Sequence, residues 1–267
     1  MNCCVADIAD AIETLAPSDL AAAWDNVGLQ VGDATWPVHS VWVALDPLPE
    51  VVFGACKADV DLLVTHHPLL FKPLKRVDAA TPEGAMIAAA LRANMAIYAA
   101  HTNLDAAAGG INDLLAVKIG LTDVGLFSDS LSDNGPYVSR VGRLPKRKSL
   151  VSLARDIKRI LGIHALKIAG DPDRDVTKVF LCSGSGSSLL LEFIRSEMDV
   201  FITGDLKYHD ARAIEMAGKG AVDIGHFASE HLMVEDFSER LAQVLHRRTL
   251  DVEVIPYRNE KDPFRTL

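Results

Sequence analysis

Asp61-Leu-Leu-Val-Thr-His66-His67-Pro68 is a short apolar run that stops at two adjacent histidines, and its reading decides the fold. A run of this length suits a buried strand, and Pro68 forces an extended or turned backbone at His67. Two other segments have the same form: Ala96-Ile-Tyr-Ala-Ala-His101-Thr-Asn103-Leu-Asp105 and Ala221-Val-Asp-Ile-Gly-His226-Phe-Ala-Ser-Glu230-His231. In parallel α/β sheets, residues at the carboxyl ends of strands face the crevice where ligands bind. Strand ends carrying His-His, His-x-x-x-Asp and His-x-x-x-Glu therefore predict one site. Imidazole and carboxylate suit Zn, Mn, Fe or Ni, and this many ligands can hold more than one ion.

Outward from that stretch, strands and helices alternate. Helices are expected over Val5–Leu15, Ser18–Trp24, Pro49–Ala58, Thr81–Asn94 and Gly110–Ile119, with strands at Val38–Leu45, Asp61–Thr65 and Met95–Ala100. Leu121–Pro136 turns to Asp, Ser, Gly and Asn, as a domain junction does. Beyond it, strands are expected at Tyr137–Leu144, Ala165–Ala169, Val176–Cys182, Val200–Thr203, Ala221–Gly225 and Val252–Ile255. Helices are expected at Ser149–Leu161, Ser187–Met198 and Tyr208–Ala217, and in one long segment from Ser229 to His246. The alternation predicts two α/β domains with mostly parallel sheets, spanning 1–125 and 126–267, with the site in the cleft between them. The final helix and strand are candidates to pack back on the first domain.

Composition narrows the function. The 267 residues are 49% hydrophobic with a net charge of −9. An acidic chain is a poor partner for duplex phosphates, so no non-specific nucleic-acid binding is expected, while a small nucleotide held through metal remains open. The cysteines are Cys3, Cys4, Cys56 and Cys182. They form no C-x-x-C pair and read as reduced thiols, with Cys3 and Cys4 on a lightly packed terminus. No basic start precedes an apolar run, and no run approaches the ~20 residues that span a bilayer. The expectation is a cytoplasmic protein without a membrane segment.

Within the site, His66 and His67 would point to opposite faces of a regular strand. Past the strand end, each can reach a different ion. His226 and Glu230 share a face if a helix starts near Phe227, the alternative for Glu230 being an N-terminal cap. Thr102-Asn103 reads as a turn, which leaves Asp105 as the ligand and His101 as a supporting partner or proton shuttle. Ser183-Gly-Ser-Gly-Ser-Ser188 opens a helix, so its amides either cradle an anion or form a plain turn. Asp205 and His209 either orient a ligand or, respectively, cap a helix and face solvent.

At these residues the chain resembles the Nif-three-like family, known in bacteria as GTP cyclohydrolase 1 type 2 homologs. The blocks that carry the resemblance are Trp24-Asp-Asn-Val-Gly-Leu-Gln-Val-Gly32, Thr65-His-His-Pro-Leu69, His101-Thr-Asn-Leu-Asp105, Gly184-Ser-Gly-Ser187, Thr203-Gly-Asp205 and Gly225-His-Phe-Ala-Ser-Glu230. The resemblance implies a short-form member that assembles as a homohexamer and carries a dinuclear centre. His67 and Asp105 would bind one divalent ion, His66 and His226 the other, with Glu230 bridging. It also implies a hydrolase that attacks a nucleotide or related phosphorylated small molecule with a metal-bound hydroxide, His101 moving the proton. Two ions about 3.5–4 Å apart typically lower the pKa of a shared water toward neutrality. For a cyclohydrolase the first target would be C8 of guanine. A non-catalytic metal-binding scaffold or metal-handling protein would use the same ligands. A mean hydropathy of +0.16 leaves apolar surface to bury between subunits, with Trp36 and Trp42 as candidates for interface or core.

Overall fold

The computed structural model describes residues 3–127 and 138–265. The strands are β1 (Gly28–Val31), β2 (Ser40–Ala44), β3 (Leu62–Thr65), β4 (Ala96–Ala99), β5 (Thr122–Leu126), β6 (Arg140–Ser149), β7 (Lys167–Ala169), β8 (Asp175–Ser185), β9 (Val200–Gly204), β10 (Gly220–Asp223) and β11 (Glu253–Pro256). The helices are α1 (Val5–Glu13), α2 (Pro49–Lys57), α3 (Pro82–Arg92), α4 (Thr102–Ala106), α5 (Ile111–Lys118), α6 (Leu150–Leu161), α7 (Leu190–Arg195), α8 (Tyr208–Met216), α9 (His226–Glu230) and α10 (Met233–Arg247).

The chain divides into two compact units, Met1–Ala107 with Met233–Glu260, and Ala108–Leu232 with Lys261–Leu267. The division falls earlier than the 125/126 boundary expected from composition. The reason is that α5 belongs to the second unit, and β5, inside the stretch read as a junction, pairs with β6 in that unit's sheet. Part of that junction, and Tyr137 at the start of an expected strand, lie outside the described residues.

The first unit's sheet runs β1-β4-β3-β2-β11. β2, β3, β4 and β11 are parallel, and β1 lies antiparallel on the edge. Leu62–Thr65 and Ala96–Ala99 are buried throughout, as central parallel strands covered on both faces are. Their register, Leu62 with Ala96 through Thr65 with Ala99, brings the two carboxyl ends to the same sheet edge. α1 turns Val5, Ile8 and Ile12 inward at helical spacing. Cys3 is buried, and Cys4 caps α1 while bridging to Pro37, so this end is packed rather than loose. Trp42 packs on Tyr257 at 5.2 Å between centroids, which places it against this unit's core. The expected helix at Ser18–Trp24 shrinks to one 3₁₀ turn at Ser18–Leu20.

The second unit's sheet runs β5-β6-β8-β9-β10-β7. Here β8, β9 and β10 are parallel, while β5–β6, β6–β8 and β10–β7 are antiparallel. The α/β class holds, and this sheet is mixed rather than mostly parallel. Alternate side chains of β8 serve its two faces. Val179 and Leu181 pack with Leu150, Leu153 and Ile157 of α6, and Phe180 with Phe193 and Phe201. Ser149 caps α6 through Ser152 N, and Gly162 ends it at φ 67°, the left-handed stop that glycine takes readily. The expected helix from Ser229 to His246 is broken. α9 ends at Glu230, and α10 restarts at Met233 in the first unit. Among the described residues, no helix is long and apolar enough to cross a membrane.

Candidate metal centre

In the first unit, β3 and β4 deliver their following residues side by side. His66 N and His67 N still bond to Ala44 O and Leu45 O, and Ala100 N bonds to Thr65 O, so the sheet ladder holds the backbone into the site. His66 is fully buried. The rings of His66 and His67 lie 5.0 Å apart, and those of His66 and His101 also 5.0 Å. A ring nitrogen from each of His66, His67 and His101 falls within 4.8 Å of the others. His101–Asp105, read as a turn, forms the short helix α4, with His101 at its N-cap. One helical turn carries Asp105 back toward the histidines, with its Oδ1 3.8 Å from His66 Nε2.

The second unit sets its own histidine and carboxylate at strand ends in a similar way. Register along β8, β9 and β10 places Gly184 at the carboxyl end of β8, with Asp205 and His226 just past the ends of β9 and β10. α9 starts at His226, so His226 and Glu230 stand one turn apart, with Nε2 3.0 Å from Oε2. Glu230 is buried under β8. Gly184, at φ 56°, leaves the room it needs, since a Cβ there would overlap Glu230 Oε1 and lie 3.2 Å from its Cδ. Asp205 does not cap α8, which takes Lys207 and Asp210 at its start. Asp205 Oδ2 instead sits 2.8 Å from His226 Nδ1. His209 is exposed, its ring against Tyr208.

The four histidines share one hydrogen-bonding pattern. Nδ1 of His66 donates to Ala100 O at 2.9 Å, that of His67 to Asp46 Oδ1 at 2.7 Å, that of His101 to Asp25 Oδ1 at 2.9 Å, and that of His226 to Asp205 Oδ2 at 2.8 Å. A carbonyl or ionised carboxylate can only accept, so each Nδ1 carries the hydrogen, and the neutral ring keeps its lone pair on Nε2. Metal-ligating histidines are oriented in this way. Asp25 is held ionised. Burial pushes its carboxyl up, but hydrogen bonds from His101 and Thr102 outweigh that and bring it down to about 2. Glu260 accepts from Leu45 N and Asp46 N behind His67, and burial pushes its carboxyl up against the lowering effect of those amides.

This donor set fits a divalent ion. It is nitrogen and oxygen without thiolate, as Zn, Mn, Fe and Ni accept. Two donors each ~2.1 Å from one ion can lie at most ~4.2 Å apart, and both His–carboxylate spans fall within that reach. With Nδ1 donating to Asp205, His226 Nε2 faces a carboxylate across 3.0 Å. Two lone pairs at that distance need a proton or a cation between them.

The sequence assigned no role to Asp25 or Asp46. Both follow apolar or aromatic residues in turn-like segments, and only the fold brings them behind His101 and His67. The Ser183–Ser188 amides are not an open anion cradle. Ser183 N bonds to Asn112 Oδ1, Gly184 N to Ser229 Oγ and Gly186 N to Thr203 Oγ1. A hollow of about 610 Å³ in the second unit is ringed by Asp171, Arg174, Glu215 and Lys219, none of which is among these ligands.

Residues 3–263 match the profile of the Duf34/NIF3 family (NGG1p interacting factor 3). The chain is 34% identical to the GTP cyclohydrolase 1 type 2 homolog of Clostridium perfringens, over 97% of each protein. It is 33% identical to the homolog of the same name from Methanocaldococcus jannaschii, over 93% of this chain and 97% of that one. Among solved structures, reduced HcgD from Methanocaldococcus jannaschii aligns with a TM-score of 0.81 at 32% identity, over 96% of this chain and 98% of that one. A Bacillus cereus protein related to NIF3 aligns with a TM-score of 0.90 over both full chains, at 24% identity, and shares the fold.

Proposed function

The chain belongs to the Duf34/NIF3 family, and from that premise we propose that it is a divalent-metal-dependent hydrolase acting on a nucleotide or related phosphorylated small molecule. The observation that carries this reading is the shared anchoring of four histidines through Nδ1, which turns Nε2 of His66 toward Asp105 in the first unit and Nε2 of His226 toward Glu230 in the second. The ligands would be His66, His67 and Asp105 in the first unit and His226 and Glu230 in the second, two ions per chain. Bound divalent ions would polarise a substrate oxygen and bring the pKa of water toward neutrality.

The chain's own residues do the rest. The Asp25 carboxylate holds the His101 ring with Nε2 outward, where it can accept a proton and return it to a leaving group. Asp46 and Asp205 hold His67 and His226 in one orientation each. Glu230, buried at the end of α9 against Gly184 of β8, would offer its carboxylate to a cation beside His226. We extend the reading to a cytoplasmic homohexamer, an assembly that light scattering coupled to size exclusion would check by mass.

Metal-loaded protein assayed against nucleotides and generic phosphodiesters, beside Glu230→Gln, tests the catalytic part. Turnover that the variant loses supports a hydrolase. Full metal loading with no turnover of any substrate favours the scaffold or metal-handling role that the same ligands would serve.

A further inference from the structure

Beside His101, in the first unit alone, lies a cavity of about 350 Å³, lined by Trp24, Asn26, Leu70, Phe71 and Leu74 among others. That volume lies in the range of small-ligand sites. Single exposed apolar side chains are ordinary on a protein surface. Here three large ones gather round one hollow, with Trp24 63%, Phe71 50% and Leu74 45% exposed. The Trp24 and Phe71 rings meet edge to face at 5.8 Å, and His101 stands 6.1 Å from Trp24 and 6.4 Å from Phe71.

The two walls are tied together. Asn26 Nδ2 donates to Leu70 O at 2.6 Å, Leu70 N to Gln30 Oε1 at 2.9 Å, and Gln30 Nε2 to Asn26 O at 2.7 Å. This closed set of hydrogen bonds fixes the aromatic pair, so a ligand finds the hollow preformed. Directly after Phe71 come Lys72, Lys75 and Arg76, all exposed and without an ion pair among the described residues. These three cations fall next in sequence to the lining residues Phe71, Pro73 and Leu74, on a chain of net charge −9.

We propose that this hollow is the subsite for a planar heteroaromatic ring carrying phosphate. The ring stacks on the open face of Trp24 with Phe71 as the perpendicular wall, and the phosphate turns toward Lys72, Lys75 and Arg76. The proposal rests on the hydrolase reading for its purpose, since a ring seated here puts its edge beside the proton-handling His101. The size of the hollow favours a small molecule over a second copy of the chain, and the neighbouring cations favour an anionic one.

Calorimetry on metal-loaded protein tests it, with guanosine 5′-monophosphate, guanosine and ribose 5-phosphate as probes, and metal content measured on the same samples. The wild type should bind the nucleotide best and guanosine more weakly, with ribose 5-phosphate weakest. Trp24→Leu and Phe71→Ala should each weaken nucleotide binding on the order of tenfold or more, the scale of one lost stacking partner, while keeping full metal. Replacing Lys72, Lys75 and Arg76 together by Ala should bring the nucleotide down to the affinity of guanosine. Ribose 5-phosphate binding as tightly as the nucleotide, equal binding by Trp24→Leu, or no ring binding at millimolar concentration would overturn the subsite. So would a Trp24→Leu variant whose only change is a smaller assembly in sedimentation. Metal loss in the wild type would count against the hydrolase reading instead, because ring binding is read separately.

Discussion

Replacing Gly184 by Ala probes the packing behind the proposed centre, and Gly162→Ala is its internal control. Both glycines have positive φ, 56° and 67°, so an alanine at either pays about 1–2 kcal/mol for the left-handed conformation. At Gly162 a Cβ would meet nothing within 4 Å, and the cost ends there. At Gly184 it would overlap Glu230 Oε1 and press to 3.4 Å from His226 Cε1. Glu230 is buried and cannot swing into water, so overpacking adds roughly 1–3 kcal/mol. The expected totals are ~1–2 kcal/mol for Gly162→Ala and ~2–5 kcal/mol for Gly184→Ala, by the sum of those two costs. At roughly 2–4 °C per kcal/mol in a chain of this size, the variants should melt several degrees apart. Metal content should separate them further. Gly162→Ala should load like wild type, while Gly184→Ala, with its carboxylate displaced, should bind metal at least ~10-fold more weakly. Urea denaturation and elemental analysis after reloading read both effects. Equal midpoints and equal metal in the two variants would refute the argument that Gly184 makes room for a ligating Glu230.

Three further outcomes follow from the same geometry. Asp25 has its carboxyl lowered from 3.8 to about 2, so it stabilises the folded state above its unfolded pKa and loses that effect as pH falls from about 4 through 2. Urea titrations of chelated protein should show Asp25→Asn less stable by about 2 kcal/mol at pH 6, a gap that closes toward pH 2; a gap independent of pH would count against the ionised Asp25–His101 pair. Asp205→Asn removes the acceptor that orients His226 and should weaken metal binding ~10–100-fold, whereas the exposed Asp171→Asn should not, as competition against a chromogenic chelator would show. Phe180→Ala opens the second unit's core between Phe127, Phe193 and Phe201 and should cost about 3–5 kcal/mol in denaturation; a loss below 1 kcal/mol would mean the aromatic cluster is loosely packed.

Much of the architecture is legible in the sequence because single segments carry it. Leu62–Thr65 and Ala96–Ala99 are short, apolar and soon followed by histidines, α1 shows helical spacing, and α3 and α6 add readable starts at Thr81–Pro82 and Ser149. The histidines and carboxylates of the site stand at strand ends, a position that sequence reveals. What depends on pairing partners is harder to see. Nothing in Arg140–Ser149 tells whether it meets β8 parallel or antiparallel, and Gly28–Val31 is too short and mixed to declare itself an edge strand. α4 is a single turn, below the length at which periodicity registers, so Thr102–Ala106 read as a turn. The break at His231–Leu232 is masked because apolar spacing continues through it into α10. Asp25 and Asp46 went unassigned because a second-layer carboxylate is defined by the imidazole it meets, and those partners lie 76 and 21 residues away.

The central claim is that the anchored histidines, half-buried Asp105 and buried Glu230 hold metal. The most direct measurement is elemental analysis of chelated, reloaded and desalted protein, wild type beside His67→Ala, His226→Ala and Glu230→Ala, with His101→Ala for comparison. Each wild-type chain should carry about two divalent ions, the first three variants clearly fewer, and His101→Ala should lose the least. Wild-type protein with no more metal than its chelated control, or four variants that load like wild type, would contradict it.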